Sequence, residues 1–301
     1  MNLPEGIDPA RFKALVQLAR DEDLGAHGDL TGALLPEWLR NTDGRWALRL
    51  REAGRFCGRP LLHPLLAELA PEVAIDWLDA GEETTDVPGD TIVARLSGRA
   101  DQMLAAERTL LNFFQRLGGV ATHTSRFVRR VAGAHVKIYD TRKTIPGWRD
   151  LDKYAVRCGG GHSHRRGLHD AVLIKDNHLA GVAIERIAHT VFEMLGALDR
   201  IAPTAARFVE VEADSLAQLD ELLKVVGIDV ILLDNFSLAD LAEAVRRRDR
   251  AGLRGKVELE ASGGVALETV GDVAATGVDR IAIGALTHSA PALDIGLDAI
   301  A

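Results

Sequence analysis

From about Gly133 onward the chain repeats one pattern: a short β-rich run, an amphipathic segment, then another run. The runs are HVKIYD, DAVLIK, RFVEVE, DVILLD, KVELEA and DRIAIG, and segments such as SLAQLDELLKVVG and SLADLAEAVRRRDRAG lie between them. Such alternation predicts a parallel sheet, because parallel neighbours need a crossover long enough to hold a helix. The strand ends then choose between an open sheet and a barrel. Nearly every run delivers a polar or small residue at its C-terminal edge: Asp140-Thr141-Arg142-Lys143, Lys175-Asp176, Glu212, Asp234, Ser262 and Gly284. A barrel mouth collects such ends, whereas a doubly wound sheet concentrates its site at one switch point. Six clear strands instead of eight predict an incomplete barrel, and no GxGxxG follows the first run to favour a dinucleotide fold.

Within this region the stretch Tyr139–His178 gathers Arg142, Lys143, His162, His164, Arg165, Arg166 and Lys175. The chain as a whole has Lys+Arg 36 against Asp+Glu 44, a net charge of -8, so a local concentration of cations is a placed feature and reads as an anion site. The acidic balance disfavours nucleic acid and anionic membranes as partners. A hydrophobic fraction of 47% over 301 residues suffices for two domains with real cores. Cys57 and Cys158 stand far apart with no CxxC spacing, which suits a reducing cytosol. No basic start leads into an apolar run, and no apolar stretch approaches the ~18 residues of a membrane span. A cytoplasmic protein is expected.

The first hundred residues read as a small α+β domain. Asp8 before Pro9 predicts an N-capped helix to about Arg20, followed by an irregular connection through DEDLGAHGDLTGALLP. Strands are expected in GRWALRLREAGRFCG, VAIDWLDAGEE and DTIVARLSGRA, with a helix over Pro60–Leu69. The stretch ADQMLAAERTLLNFFQRLGGVATHTSRFVRRVAG then reads as helical, with a break expected at Gly118-Gly119. On spacing alone Arg108 is a solvated helix arginine.

The turns EASGGV and AIGAL, on the last two strand–helix units, place Ser262, Gly263, Gly264 and Gly284 where barrels bind phosphate through backbone N–H groups. Glu212 and Asp234 end consecutive strands and suit Mg²⁺, ribose hydroxyls or a developing positive centre; ion pairing with Lys143 or Lys175 is the bland alternative. Glu210 shares a strand face with Glu212, which leaves open which of them functions. His162 and His164 form an H-x-H pair, but Arg165 and Arg166 would repel a metal, so carboxylate or phosphate recognition is preferred. Lys175 as a Schiff-base lysine is the rival chemistry.

These residues, in DTRKTIPGWRDLDKYAVRCGGGHSHRRGLHDAVLIKDNH, AERTLLNFFQRLGGVAT, VEVEADSL, ILLDNF, EASGGV and IAIGALTHSAPALDIGLD, closely resemble the quinolinate phosphoribosyltransferase (decarboxylating) family over nearly the whole chain. The resemblance implies an N-terminal α/β sandwich domain (residues 1–117) joined to an open, incomplete (β/α) barrel of six or seven strands (118–285), with the tail 286–301 returning to the first domain. It implies phosphoribosyl transfer from 5-phosphoribosyl 1-diphosphate to quinolinate with decarboxylation, in NAD biosynthesis. A homodimer is implied, in which Arg108 reaches the neighbour's site; assembly beyond a dimer stays open. Arg142, His164, Arg165 and Lys175 match the quinolinate-binding set, and Lys143, Glu212 and Asp234 the catalytic residues around the diphosphate, with Glu212 and Asp234 as ligands for Mg²⁺. Ser262, Gly263, Gly264 and Gly284 fall in the phosphate loops. Ile145, Trp148 and His169 depart from the usual residues. A paralogue associated with molybdenum transport shares the TRK and GG-HR regions, and is similar except at the lysine of LIKDNH.

Overall fold

The computed structural model describes residues 3–201 and 206–300. Its strands, in chain order, are β1 (Asp43–Leu50), β2 (Gly54–Arg55), β3 (Val73–Trp77), β4 (Asp86–Val87), β5 (Thr91–Arg99), β6 (Lys137–Tyr139), β7 (Val172–Ile174), β8 (Val209–Ala213), β9 (Val230–Asp234), β10 (Glu258–Ser262), β11 (Arg280–Ala282) and β12 (Ile295–Ala299). The chain divides into two compact units. The first comprises the chain as far as Ser125, Thr144–Gly160 and the stretch from Leu286; the second comprises Arg126–Lys143 and Gly161–Ala285.

In the first unit, alternating apolar residues build an antiparallel sheet in the order β12-β1-β5-β3. Leu48 and Leu50 of β1 are buried and lie opposite Leu297 and Ile295 of β12, so the C-terminal segment forms an edge of this sheet. Phe56, stacked on Phe114 at 5.6 Å, anchors the core together with Phe113, Leu61 and Met103. Asp8 caps the first helix by accepting from the N–H of Arg11 at 2.9 Å, but that helix runs on to Leu24, where Gly25 at φ 52 ends it. The stretch expected to be irregular then holds two short helices, Leu30–Leu34 and Glu37–Arg40.

The expected break at Gly118-Gly119 does not occur: one helix spans Ala100–Arg130. Two glycines cost a helix roughly 1 kcal/mol each, which packing over eight turns outweighs. They serve a close approach instead. A Cβ on Gly119 would stand 2.0 Å from the Pro291 carbonyl oxygen, and one on Gly118 would stand 2.9 Å from the Leu293 side chain. The small residues therefore make room for the segment that leads into β12.

The second unit holds a six-stranded parallel sheet in the order β6-β11-β10-β9-β8-β7. Strands β7 to β11 are neighbours in sequence order, and the first strand lies beside the last. That order is cyclic, as in a barrel, with no switch point. Between β6 and β7 the ladder is open, so the barrel is incomplete. His162 partly fills the gap: its N–H donates to the Ile138 carbonyl at 2.8 Å and its own carbonyl accepts from Asp140 at 3.0 Å, a parallel bridge to Tyr139. Every residue of β8 is buried, as expected of a strand covered on both faces. Ser215 and Ser237 cap the helices after β8 and β9. Among the described residues no helix is long and apolar enough to cross a membrane.

Candidate active site

The register of the second sheet assembles one edge. Asp234 pairs with Ser262, Glu212 lies level with Leu232, and Lys175 follows the last residue of β7. Lys175 donates through Nζ to Glu212 Oε2 at 2.7 Å, and its backbone N–H donates to His178 Nδ1 at 2.8 Å, which fixes the turn that carries it. Carboxylate oxygens of Glu212, Asp214 and Asp234 lie within 4.8 Å of one another. Asn235 adopts φ 56, donates through Nδ2 to Asp234 Oδ2 at 2.7 Å, and donates its N–H to the Ser262 carbonyl at 2.9 Å. Gly263, at φ 95, lies against it: a Cβ there would stand 2.1 Å from Asn235 Oδ1. Gly264, at φ 59, opens into free space. Gly284 follows Ile283, whose N–H donates to the Tyr139 carbonyl at 2.9 Å.

The cations arrive by way of the barrel's gap. The bridge at His162 carries the chain alongside β6, and Asp140 Oδ1 then accepts the His164 N–H at 2.8 Å. Asp170 closes the following loop by accepting from the N–H groups of Arg166 and Gly167, each at 3.0 Å. Burial pushes Asp170 up, but those N–H groups and the charge of Arg207 outweigh it and leave its carboxyl below the usual value. Arg165 is buried, and burial together with the charge of Arg142 lowers its guanidinium from the ordinary value. Among the described residues neither the Arg142 nor the Arg165 guanidinium has a hydrogen-bonded or ion-paired partner. His162 is exposed, and burial of part of its ring with the charges of Lys137 and Arg280 lowers its pKa. Lys143 is also exposed, its N–H donating to Thr141 Oγ1 at 3.1 Å.

Deeper in the sheet, Glu210 and Glu212 share a face at different depths. Glu212 meets Lys175 near the edge, while Glu210 is fully buried beside Glu260 and His164. Burial opposes charge on His164, but Glu210 and Glu260 favour it and raise it to about 10. Burial and the charge of Glu260 raise Glu210 to about 7. The Arg165 N–H donates to His164 Nδ1 at 2.8 Å, which opposes a proton at that nitrogen. In this arrangement Nδ1 accepts and the proton on Nε2 faces the Glu210–Glu260 pair.

Two family models cover this chain: Quinolinate phosphoribosyl transferase, N-terminal domain, over residues 29–118, and its C-terminal domain over 120–298. The chain belongs to the quinolinate phosphoribosyltransferase family. A nicotinate-nucleotide pyrophosphorylase [carboxylating] of Mycobacterium leprae is 51% identical over 197 residues, 65% of each chain. A quinolinate phosphoribosyltransferase [decarboxylating] of Nicotiana tabacum is 36% identical over 95% of this chain and 81% of its own. The solved nicotinate-nucleotide pyrophosphorylase of Francisella tularensis superposes with a TM-score of 0.86 at 35% identity, covering all of both chains.

As a quinolinate phosphoribosyltransferase family member, the chain brings Arg142, His164, Arg165, Lys175, Glu212, Asp234, Ser262, Gly263, Gly264 and Gly284 into its second unit, with Lys143 at that unit's boundary. Arg108 belongs to the first unit, exposed on the long helix and without a hydrogen-bonded or ion-paired partner among the described residues. Sequence reading passed over Asp214, Asn235, Asp170 and Glu260. Asp214 had a signal, standing two residues beyond Glu212 and directly after the end of β8, in step with its period of two. Asn235, directly after Asp234, had another, since asparagine tolerates the left-handed region. Asp170 and Glu260 had none, because their partners are set by tertiary contact.

Proposed function

We propose that the chain transfers phosphoribosyl from 5-phosphoribosyl 1-diphosphate to quinolinate with decarboxylation, giving nicotinate mononucleotide, diphosphate and CO₂ for NAD biosynthesis. The observation that carries this reading is the neighbouring pair of guanidiniums, Arg142 and Arg165, neither of them ion-paired among the described residues. Quinolinate is a dianion with adjacent carboxylates, and guanidinium forks bind such groups bidentately. Lys175 supplies a further cation, and His164 stands directly before Arg165 on the same buried loop. The backbone N–H groups of the Ser262-Gly263-Gly264 turn, with Gly284 just after the next strand, suit the 5-phosphate. Lys143 suits the diphosphate.

The close oxygens of Glu212, Asp214 and Asp234 fit a hard divalent ion in donor type and number, and Mg²⁺ bound there would offset charge on the leaving diphosphate. The chain's own residues do the rest. The pyridine nitrogen attacks the anomeric carbon as its bond to diphosphate breaks, and the carboxylates of Glu212 and Asp234 stabilise the positive charge that develops there. Alkylation leaves the ring nitrogen cationic. The bond to the adjacent carboxylate then breaks, its electron pair stays on the ring carbon beside that nitrogen, CO₂ leaves and a proton takes its place. Arg142 and Arg165 hold the ring for attack.

A homodimer in which Arg108 of one copy completes the other copy's site belongs to the same proposal, as does the cytoplasm as its location. Its support is the exposed Arg108, unpartnered among the described residues, with exposed apolar side chains in the same unit, where Leu30, Leu34 and Trp38 are 67%, 85% and 73% exposed. The Schiff-base alternative has no comparable support, since Lys175 is ion-paired and about half exposed, unlike a desolvated amine. The test is incubation with quinolinate, 5-phosphoribosyl 1-diphosphate and Mg²⁺, following CO₂ and nicotinate mononucleotide together. Equal yields are expected. Binding of 5-phosphoribosyl 1-diphosphate with neither product would point to another acceptor.

A further inference from the structure

Beneath the sheet edge lies a cluster that phosphoribosyl transfer does not in itself require. Glu210 and Glu260 are fully buried on neighbouring parts of one face. Between them stands His164, its Nε2 2.9 Å from Glu210 Oε2 and 3.3 Å from Glu260 Oε1. Its Nδ1 accepts from the Arg165 N–H at 2.8 Å, and its carbonyl accepts from Arg207 at 3.3 Å. Tyr139 and Phe208 meet the imidazole edge-on, with centroids 6.3 and 5.4 Å away. Each ring nitrogen is thus held within the protein, and so is each face of the loop's backbone at this residue.

Two carboxylates in a dry interior are costly, and leucines would fill the same space. Their use is explained by what they hold. Arg165 lies within electrostatic reach of Glu210, yet Glu210 is engaged by the imidazole and makes no ion pair with the guanidinium. A free carboxylate at that depth would claim Arg165 and close the anion site.

We propose that Glu210 and Glu260 are positioning residues for the quinolinate subsite: they anchor His164 through Nε2, and His164 Nδ1 fixes the Arg165 peptide so that its guanidinium stands unpaired beside Arg142. This rests on the reading of Arg142 and Arg165 as the quinolinate clamp. His164 then contributes through Arg165 and not through a ring nitrogen offered to substrate.

The experiment compares Glu210→Leu, Glu210→Gln and Glu260→Gln with the parent chain, measuring kcat and KM for each substrate beside thermal unfolding. Glu210→Leu is expected to raise KM for quinolinate about tenfold or more, the equivalent of one lost close charged contact. The KM for 5-phosphoribosyl 1-diphosphate should stay within about twofold, inside the scatter of a surface change. Glu210→Gln should recover most of the loss, because its amide oxygen can occupy the same place 2.9 Å from Nε2. An unchanged quinolinate KM in Glu210→Leu, or a glutamine variant as impaired as the leucine one, would overturn the proposal. Should the leucine variant not fold, nitrogen NMR of the histidine-labelled parent chain decides the matter. The clamp requires His164 protonated at Nε2 and bare at Nδ1, and a proton found on Nδ1 overturns it. That readout needs no turnover, so an inactive parent chain would sink the proposed reaction while leaving the clamp to be judged separately.

Discussion

Arg165 shows how a site is prepared at the scale of one residue. Burial and a neighbouring arginine both work against its charge, the more distant Glu210 and Asp170 only partly offset them, and no carboxylate among the described residues pairs with it directly. Such a group gains most when an anion arrives, since charge-assisted bonds are strongest where water is excluded. Arg165→Ala should therefore raise the quinolinate KM by about 10- to 100-fold, corresponding to roughly 1.5–3 kcal/mol. Arg165→Lys should recover little of it, because an ammonium lacks the planar fork. Steady-state kinetics with each substrate varied in turn would check both; a lysine variant equal to the parent would reduce the site to simple charge. The cations themselves were legible in the sequence, as a basic cluster in an acidic chain. The buried counterpart of His164 was not, because Glu210 and Glu260 lie far along the chain and meet it only across the sheet.

At the scale of elements, two turns carry the site and each can be tested. The Ser262-Gly263-Gly264 turn depends on a backbone conformation that only glycine adopts freely at φ 95, and on a gap filled by Asn235. Gly263→Ala should displace Asn235 from Asp234 and raise the KM for 5-phosphoribosyl 1-diphosphate about tenfold, at a strain of roughly 1–3 kcal/mol. Quinolinate binding should change less; an equal loss for both substrates would mean that the turn supports the whole edge. The loop Arg165–Asp170 depends on an ionised Asp170, whose folded pKa lies below its unfolded value. Its stabilisation is fully present above the unfolded carboxylate value, about pH 4, and is lost as pH falls through the lower folded value. Amide exchange of Arg166 and Gly167 should therefore stay slow down to about pH 4 and quicken only below it; Asp170→Ala should quicken it at neutral pH. The strand–helix period and the small-residue turns predicted these elements. The long helix defied its glycines because the surface they open, against Pro291 and Leu293, lies far downstream in the chain.

At the scale of the whole molecule, the proposed shared site makes a prediction that neither unit makes alone. Assayed with quinolinate well below the raised KM of the variants, Arg108→Ala and Arg165→Ala should each be nearly inactive as pure proteins. Mixed in equal amounts and allowed to exchange subunits, they should recover about a quarter of parental activity, because half of the dimers are mixed and each has one intact site. No recovery despite demonstrated exchange would confine Arg108 to its own subunit. The sequence by itself determined the strand–helix order, the parallel sheet, the cation cluster and the polar strand ends, since each follows from local periodicity and residue chemistry. Only the tertiary structure decided the rest. It set β6 beside β11 and left the gap that His162 bridges, placed Asp214 with Glu212 and Asp234, and paired Glu210 and Glu260 with His164. Those relations depend on which strand lies next to which and how far along it each residue falls, and register is fixed by the packed whole and not by any one segment.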